Sequence, residues 1–249
     1  MLDRDAFFRP IAHRGLHNAK KGIIENTRAA FEGAIAKGYG IECDLRPAAG
    51  GLPIVFHDET VNRLMAGKGP VCNLEVRDLK TLTYKNAQER ILTFSDLLDL
   101  VAGKVPLLVE IKSEWDPPDR SFLSRVAKLA QGYKGPVALM SFDPDVMAAV
   151  RELAPKVPRG IVSGSYSGHG WWEKKLSKTR AHDLRDLLLS APADPQFYAY
   201  QVGALPTPVT RYVREVCGRA LFTWTVRTAK DRARAARWAD AAIFEGFEP

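Results

Sequence analysis

The chain has 249 residues, 46% of them hydrophobic and 26% charged, with a formal net charge of +7. Ample apolar sequence for a core, and no apolar run near the roughly 20 residues of a bilayer span, exclude a disordered chain and a protein anchored by membrane-crossing helices. The basic excess is scattered, and its densest stretch, "TAKDRARAARWAD", falls on a predicted helix and reads as a solvated face rather than a nucleic-acid footprint.

Cys43, Cys72 and Cys217 are far apart and form no C-x-x-C pair, which argues against a disulfide framework or a structural zinc site and fits a reducing compartment. The start, "MLDRDAFFRP", carries acidic residues and no signal-peptide apolar stretch, so a cytoplasmic protein is expected.

In chain order, short apolar strands alternate with amphipathic helices. A first strand, "RPIAH" (9–13), precedes the helix "NTRAAFEGAIAKG", and a second, "GIECDL" (40–45), follows it. Then come "PLLVEIK" (106–112), "PVALMSF" (136–142), "RGIVS" (159–163), "FYAYQV" (197–202), "LFTWTV" (221–226) and "AAIFEG" (241–246), each set off by a helical pattern such as "DRSFLSRVAKLAQG" or "KTRAHDLRDLLLS". Asn26, Thr93, Asp143 and Thr207 stand where helix caps are expected, and Gly or Pro closes several helices. Eight strands in strict βα alternation predict a closed (β/α)8 TIM barrel, α/β in class, forming one domain over residues 1–249. An open doubly wound sheet is the competing arrangement, but no G-x-G-x-x-G follows the first strand. Residues 46–92 break the alternation with an extra strand at "PIVFH" and a Gly-rich turn, and are read as a small insertion after the second strand on the active-site face.

The chemistry gathers at strand ends. Alternate strand residues share a face, so Glu42 and Asp44 in "IECDLR" point one way and Cys43 the other, while Glu110 and Lys112 in "LLVEIKSE" repeat the arrangement next door. Two carboxylates about 4 Å apart repel by about 4 kcal/mol at an effective dielectric near 20. Three hard oxygen donors on neighbouring strands therefore predict one divalent cation, Mg²⁺ or Ca²⁺ rather than Zn²⁺. His13 ends the first strand and His57 the inserted one, and two imidazoles with pKa values near about 6.5 suit an acid and base pair at neutral pH. Arg14 and Lys112 add fixed positive charge, and with the cation they balance the three carboxylates and one phosphodiester.

"HRG", "ENT", "ECDLR", "VFHD", "EIK" and "WTVRT", in that order, resemble the glycerophosphodiester phosphodiesterase family over nearly the whole chain. The resemblance implies hydrolysis of small glycerophosphodiesters to glycerol 3-phosphate and an alcohol. It implies His13 and His57 as catalytic pair, Glu42, Asp44 and Glu110 as metal ligands, and Arg14 and Lys112 as phosphate contacts. It also implies Glu25 near the metal and glycerol, with Phe142 and Trp224 beside the glycerol. Attack by the substrate's own 2-hydroxyl through a cyclic phosphate comes with it. Asp58, next to His57, is placed either to orient that ring or to form the turn.

Two departures touch the head-group pocket: "IFEGFEP" replaces an aspartate-proline ending, and Arg227 replaces an asparagine, where it is positioned to read a second anionic group. The loop "SGSYSGHGWWEKK" brings Trp171 and Trp172 to the active face, where they either pack the loop on the barrel or serve as a lid or patch over an apolar or choline-like head group, with His169 a loop polar residue. The competing functions are a phospholipase D-like or phosphoinositide-cleaving barrel enzyme, which would want a larger lipid-binding surface, and a non-catalytic barrel for phosphorylated ligands. A missing histidine or ligand carboxylate would favour the latter, and none is missing.

Overall fold

Parallel pairing of the predicted strands closes a ring in the computed structural model, which describes residues 1–85 and 87–249. Strands β1 (Ile11–Ala12) and β2 (Gly40–Ala48) pair directly, and β3 (Leu52–Val55) lies antiparallel on β2 outside the ring. The ring continues through β4 (Leu107–Ile111), β5 (Val137–Ser141), β6 (Arg159–Ser163), β7 (Phe197–Gln201), β8 (Ala220–Val226) and β9 (Ala241–Phe244). β9 pairs back onto β1, with Ala12 opposite Phe244, so eight parallel strands form the barrel and β3 is the ninth, as the extra inserted strand requires.

Strand parity sorts the core into two layers. Leu108, Met140, Val162, Phe197, Phe222 and Ile243 fill the barrel, while Cys43, Val109, Ile111 and Leu139 face the surrounding helices. A short helix not expected from the sequence, α1 (Arg4–Phe7), stacks Phe7 on Phe222 at 6.3 Å between ring centroids and stoppers the end of the barrel where the strands begin. Its Asp3 cap accepts from the Ala6 amide, which pins so short a turn.

Outside lie α2 (Arg28–Ala36), then α3 (Val76–Thr81) in the insertion, α4 (Phe94–Val101), α5 (Arg120–Gly132), α6 (Pro144–Leu153), α7 (Lys178–Arg185), α8 (Pro208–Arg211) and α9 (Ala229–Trp238). Thr93, Asp143 and Thr207 cap as expected. Asn26 does not: Thr27 precedes α2, and the Asn26 side chain is turned to Asp44 instead. α7 also stops short of the expected Ser190, because Ser163 and Tyr200 hydroxyls donate to the carbonyls of Leu184 and Arg185 and the chain turns at Leu187 with φ +59°. Residues 46–92 bury their own small core around Ile54, Phe56, Val61, Met65 and Tyr84. Arg232 and Arg237 of α9 are exposed, as a solvated face requires, and no helix among the described residues is long and apolar enough to cross a membrane.

One glycine is sterically required within the barrel wall. A Cβ on Gly160 of β6 would stand 2.2–2.5 Å from the ring of Phe197, which is itself fully buried against Phe222. Gly160→Ala should therefore lower the unfolding free energy by about 1–3 kcal/mol through overpacking, read as a fall in the urea midpoint at unchanged slope.

Candidate active site

The register of β2 against β4 sets Asp44 opposite Glu110, and parity turns Glu42 inward one step below. Glu42 and Asp44 are each 1% exposed and Glu110 is 7%, and their ligand oxygens lie within 4.8 Å of one another. Lys112 Nζ stands 2.6 Å from Glu110 Oε1 and 2.8 Å from Asp44 Oδ1, Arg14 Nε is 3.3 Å from Asp44 Oδ2, and Asn26 Nδ2 donates to that same oxygen at 2.8 Å. Burial pushes the Asp44 carboxyl up, but Lys112 and Arg14 outweigh it and hold it well below the usual carboxylate range. Glu42 goes the other way: burial first, then repulsion from Asp44 and Glu110, raises it well above that range. The Arg14 amide donates to it at 3.0 Å, and among the described residues no Lys or Arg side chain lies within salt-bridge distance of it. Hard oxygen donors, one of them short of positive charge, fit a divalent cation.

The histidines flank this cluster. His13 Nε2 is 3.9 Å from Glu42 Oε2, and Nδ1 meets Glu245 Oε2 at 2.5 Å. Burial lowers the His13 pKa more than the Glu245 hydrogen bond raises it, so the ring is neutral at pH 7. Immediately after it the chain turns with positive φ at Arg14 (+53°) and Gly15 (+77°), and a Cβ on Gly15 would lie 2.9 Å from Ala30 in α2. That close approach seats the "HRG" turn on the helix. Arg14 costs some backbone strain there, compensated by its bond to Glu25 at 2.7 Å.

His57 lies two residues beyond the end of β3, not on the strand. Its Nδ1 is 2.8 Å from Asp58 Oδ1, Asp58 accepts from Arg63 Nε at 2.6 Å, and Arg63 reaches Glu25 at 2.7 Å. Glu25 therefore sits between two guanidinium groups, a chain of ion pairs that joins the surroundings of His57 to Arg14. The Asp58 carboxyl is raised by burial but lowered further by His57 and Arg63, and stays ionised at any working pH.

These side chains open onto a cleft of about 380 Å³ at the end of the barrel where the strands finish, lined by His13, Arg14, Glu42, His57, Glu110 and Lys112 on one side. The opposite wall is aromatic. Phe142 meets Trp224 edge-on at 5.2 Å and Trp171 at 5.5 Å, and Trp171 stacks on Trp115 at 5.9 Å. Trp172 packs on Tyr166 instead, and His169 points into solvent. Lys175, just past these tryptophans, contacts Glu59 of the insertion and Glu114 after β4, each at 2.5 Å, and so ties this loop across the cleft. Arg227 lines the cleft, and its Nε donates to Glu245 Oε1 at 2.6 Å. Glu245, Trp115, Arg63 and Lys175 were not singled out from the sequence; only Glu245 carried a signal, a carboxylate at a strand tip like Glu42 and Glu110.

Polar side chains gather where the strands of this (β/α)8 barrel end, the face on which that fold class builds its functional sites. The class narrows on comparison with known proteins: residues 13–246 match the Glycerophosphoryl diester phosphodiesterase family, and the chain belongs to it. A glycerophosphodiester phosphodiesterase of Caldanaerobacter subterraneus is 33% identical over 162 residues, covering 61% of this chain and 65% of that protein. Glycerophosphodiester phosphodiesterase 1 of Mus musculus is 29% identical over 175 residues, 64% of this chain and 51% of that protein. The matched region thus spans less than two thirds of either relative's own length. A phosphodiesterase of Oleispira antarctica, solved with the product sn-glycerol-3-phosphate, shares the fold with a TM-score of 0.73 at 19% identity, over 95% of this chain and 92% of that one.

Proposed function

We propose that this protein hydrolyses small glycerophosphodiesters to glycerol 3-phosphate and an alcohol, with His13 and His57 as the acid and base pair. The observation that carries the reading is the convergence, in one cleft, of two separately oriented histidines on a buried carboxylate cluster. Glu42, Asp44 and Glu110 would hold one divalent cation, Mg²⁺ or Ca²⁺, which when bound supplies Lewis-acid stabilisation of charge on the phosphoryl oxygens. Arg14 and Lys112 turn further positive charge to the same oxygens. His13, neutral at pH 7, takes the proton of the glycerol 2-hydroxyl as it attacks phosphorus, and His57, oriented by Asp58, protonates the departing alcohol. Water then opens the cyclic phosphate with the two roles exchanged. Phe142 and Trp224 flank the glycerol, and Glu25 positions Arg14. One domain, with residues 46–92 inserted to carry His57 to the cleft, does this work. The free Cys43, Cys72 and Cys217 suit a reducing, cytoplasmic setting.

The test is release of glycerol 3-phosphate from choline, ethanolamine, glycerol and inositol diesters, with Mg²⁺, with Ca²⁺ and with chelator. Turnover in metal and none in chelator is expected. Full turnover in chelator would remove the cation from the reading, and no turnover of any diester would remove the activity.

A further inference from the structure

We propose that His13, His17 and Glu245 form a second metal site, suited to a borderline cation such as Zn²⁺, and that filling it switches the enzyme off. Barrel closure assembles it: His13 directly follows β1 rather than ending it, His17 lies in the loop before α2, and Glu245 follows β9, the neighbour of β1. One donor atom from each lies within 4.8 Å of the other two, on side chains 13%, 20% and 19% exposed. His17 Nε2 points to a ligand most directly. That atom is shielded from solvent and 3.4 Å from Glu245 Oε2, yet the two are not aligned as a hydrogen bond and the nitrogen has no other partner among the described residues. Buried polar atoms without partners are rare and call for an explanation such as an ion. Arg227 holds the other oxygen, Oε1, which leaves Oε2 to turn toward a cation.

The donor set also differs in kind from its neighbour. Glu42, Asp44 and Glu110 offer oxygen alone, which suits Mg²⁺ or Ca²⁺, whereas two imidazoles and one carboxylate suit Zn²⁺ at about 2.0–2.2 Å per bond. Two adjacent sites would thus sort cations by chemistry. His13 belongs to both surroundings, with Nε2 toward Glu42 and Nδ1 toward the second site. A neutral imidazole has one lone-pair nitrogen and one N–H. With the Nδ1 lone pair given to zinc, the proton resides on Nε2, and that atom cannot accept another from a substrate hydroxyl. The inhibition rests on the role proposed above for His13; the binding of zinc does not.

Calorimetric titration of Zn²⁺ into the full chain, held in millimolar Mg²⁺, should show one zinc equivalent, and zinc should abolish diester turnover. His17→Gln should weaken both effects by about tenfold or more while its turnover in zinc-free Mg²⁺ stays close to that of the native chain. In the native protein, zinc should shift the ring NMR signals of His13 and His17 and leave those of His57, His169 and His182 in place, a readout that does not depend on the variant folding. No zinc uptake in Mg²⁺, equal affinity of a folded His17→Gln chain, or a shift at His57 in place of His17 would overturn the proposal. A chain that binds zinc in this way but cleaves no diester would leave the metal site standing and remove the catalytic reading; turnover without zinc binding would do the reverse.

Discussion

His57→Gln should lower kcat on a glycerophosphodiester with an alkyl leaving group by about 10²–10⁴-fold, the usual contribution of a positioned acid, while the fold is untouched. The ring is 31% exposed, so its loss opens no core cavity, and circular dichroism and the melting temperature should stay near native. What is lost is a directed proton. Asp58 accepts from Nδ1 and is itself gripped by Arg63, so the imidazole presents Nε2 to the cleft. The defect should shrink sharply on a diester whose leaving group is a nitrophenol, because that alcohol departs without being protonated. The matching His13→Gln defect should stay large on both substrates, because the attacking 2-hydroxyl still has to lose its proton. Equal defects for the two variants on both substrates would reverse or dissolve the assignment of base and acid.

The same contacts show which parts of the site could be read from sequence. Glu42, Asp44 and Glu110 could be placed because strand parity is strict: one residue in two faces inward, and "IECDLR" beside "LLVEIKSE" puts carboxylates on that face at the right end. Glu245 carried the same strand-tip signal, but its partner could not be read, since its contact with His13 spans 232 positions and depends on β9 closing against β1, a register that no local pattern encodes. Asn26 misled for a related reason. Its capping propensity is local, but the buried Asp44 carboxylate is a stronger claimant for the amide, and the backbone bends to φ +57° to deliver it. Trp115, Arg63 and Lys175 come from connecting segments, where residues carry no period and side-chain direction is set by whatever lies opposite. Arg227, expected to read a second anionic group, lines the cleft and also donates to Glu245, the partner of His13, a bond that depends on the β9 end and that no local pattern announces.

Lys112→Met should be the substitution with the largest effect on stability. Lys112 Nζ lies between Asp44 and Glu110, and removing one partner from a buried ionic cluster costs about 3–5 kcal/mol, because the remaining charges are left without compensation. Arg14 reaches Asp44 but has no such contact with Glu110, so the variant confines three carboxylates with too little positive charge between them. The protein then either unfolds more readily or keeps a proton on Glu42, whose pKa already lies well above the carboxylate range. A cation bound to the folded state alone offsets such a deficit by mass action, by about 2.7 kcal/mol at a hundredfold excess over Kd. Urea denaturation in chelator should therefore separate Lys112→Met from the native chain by the full amount, and Mg²⁺ should raise the variant's midpoint more than the native one. A variant as stable as native in chelator would show that Lys112 does not balance the cluster. A gain from Mg²⁺ that is the same in both chains would show that the cation and Lys112 do not answer the same carboxylates, and so would separate the metal site from the geometry on which the proposed chemistry depends.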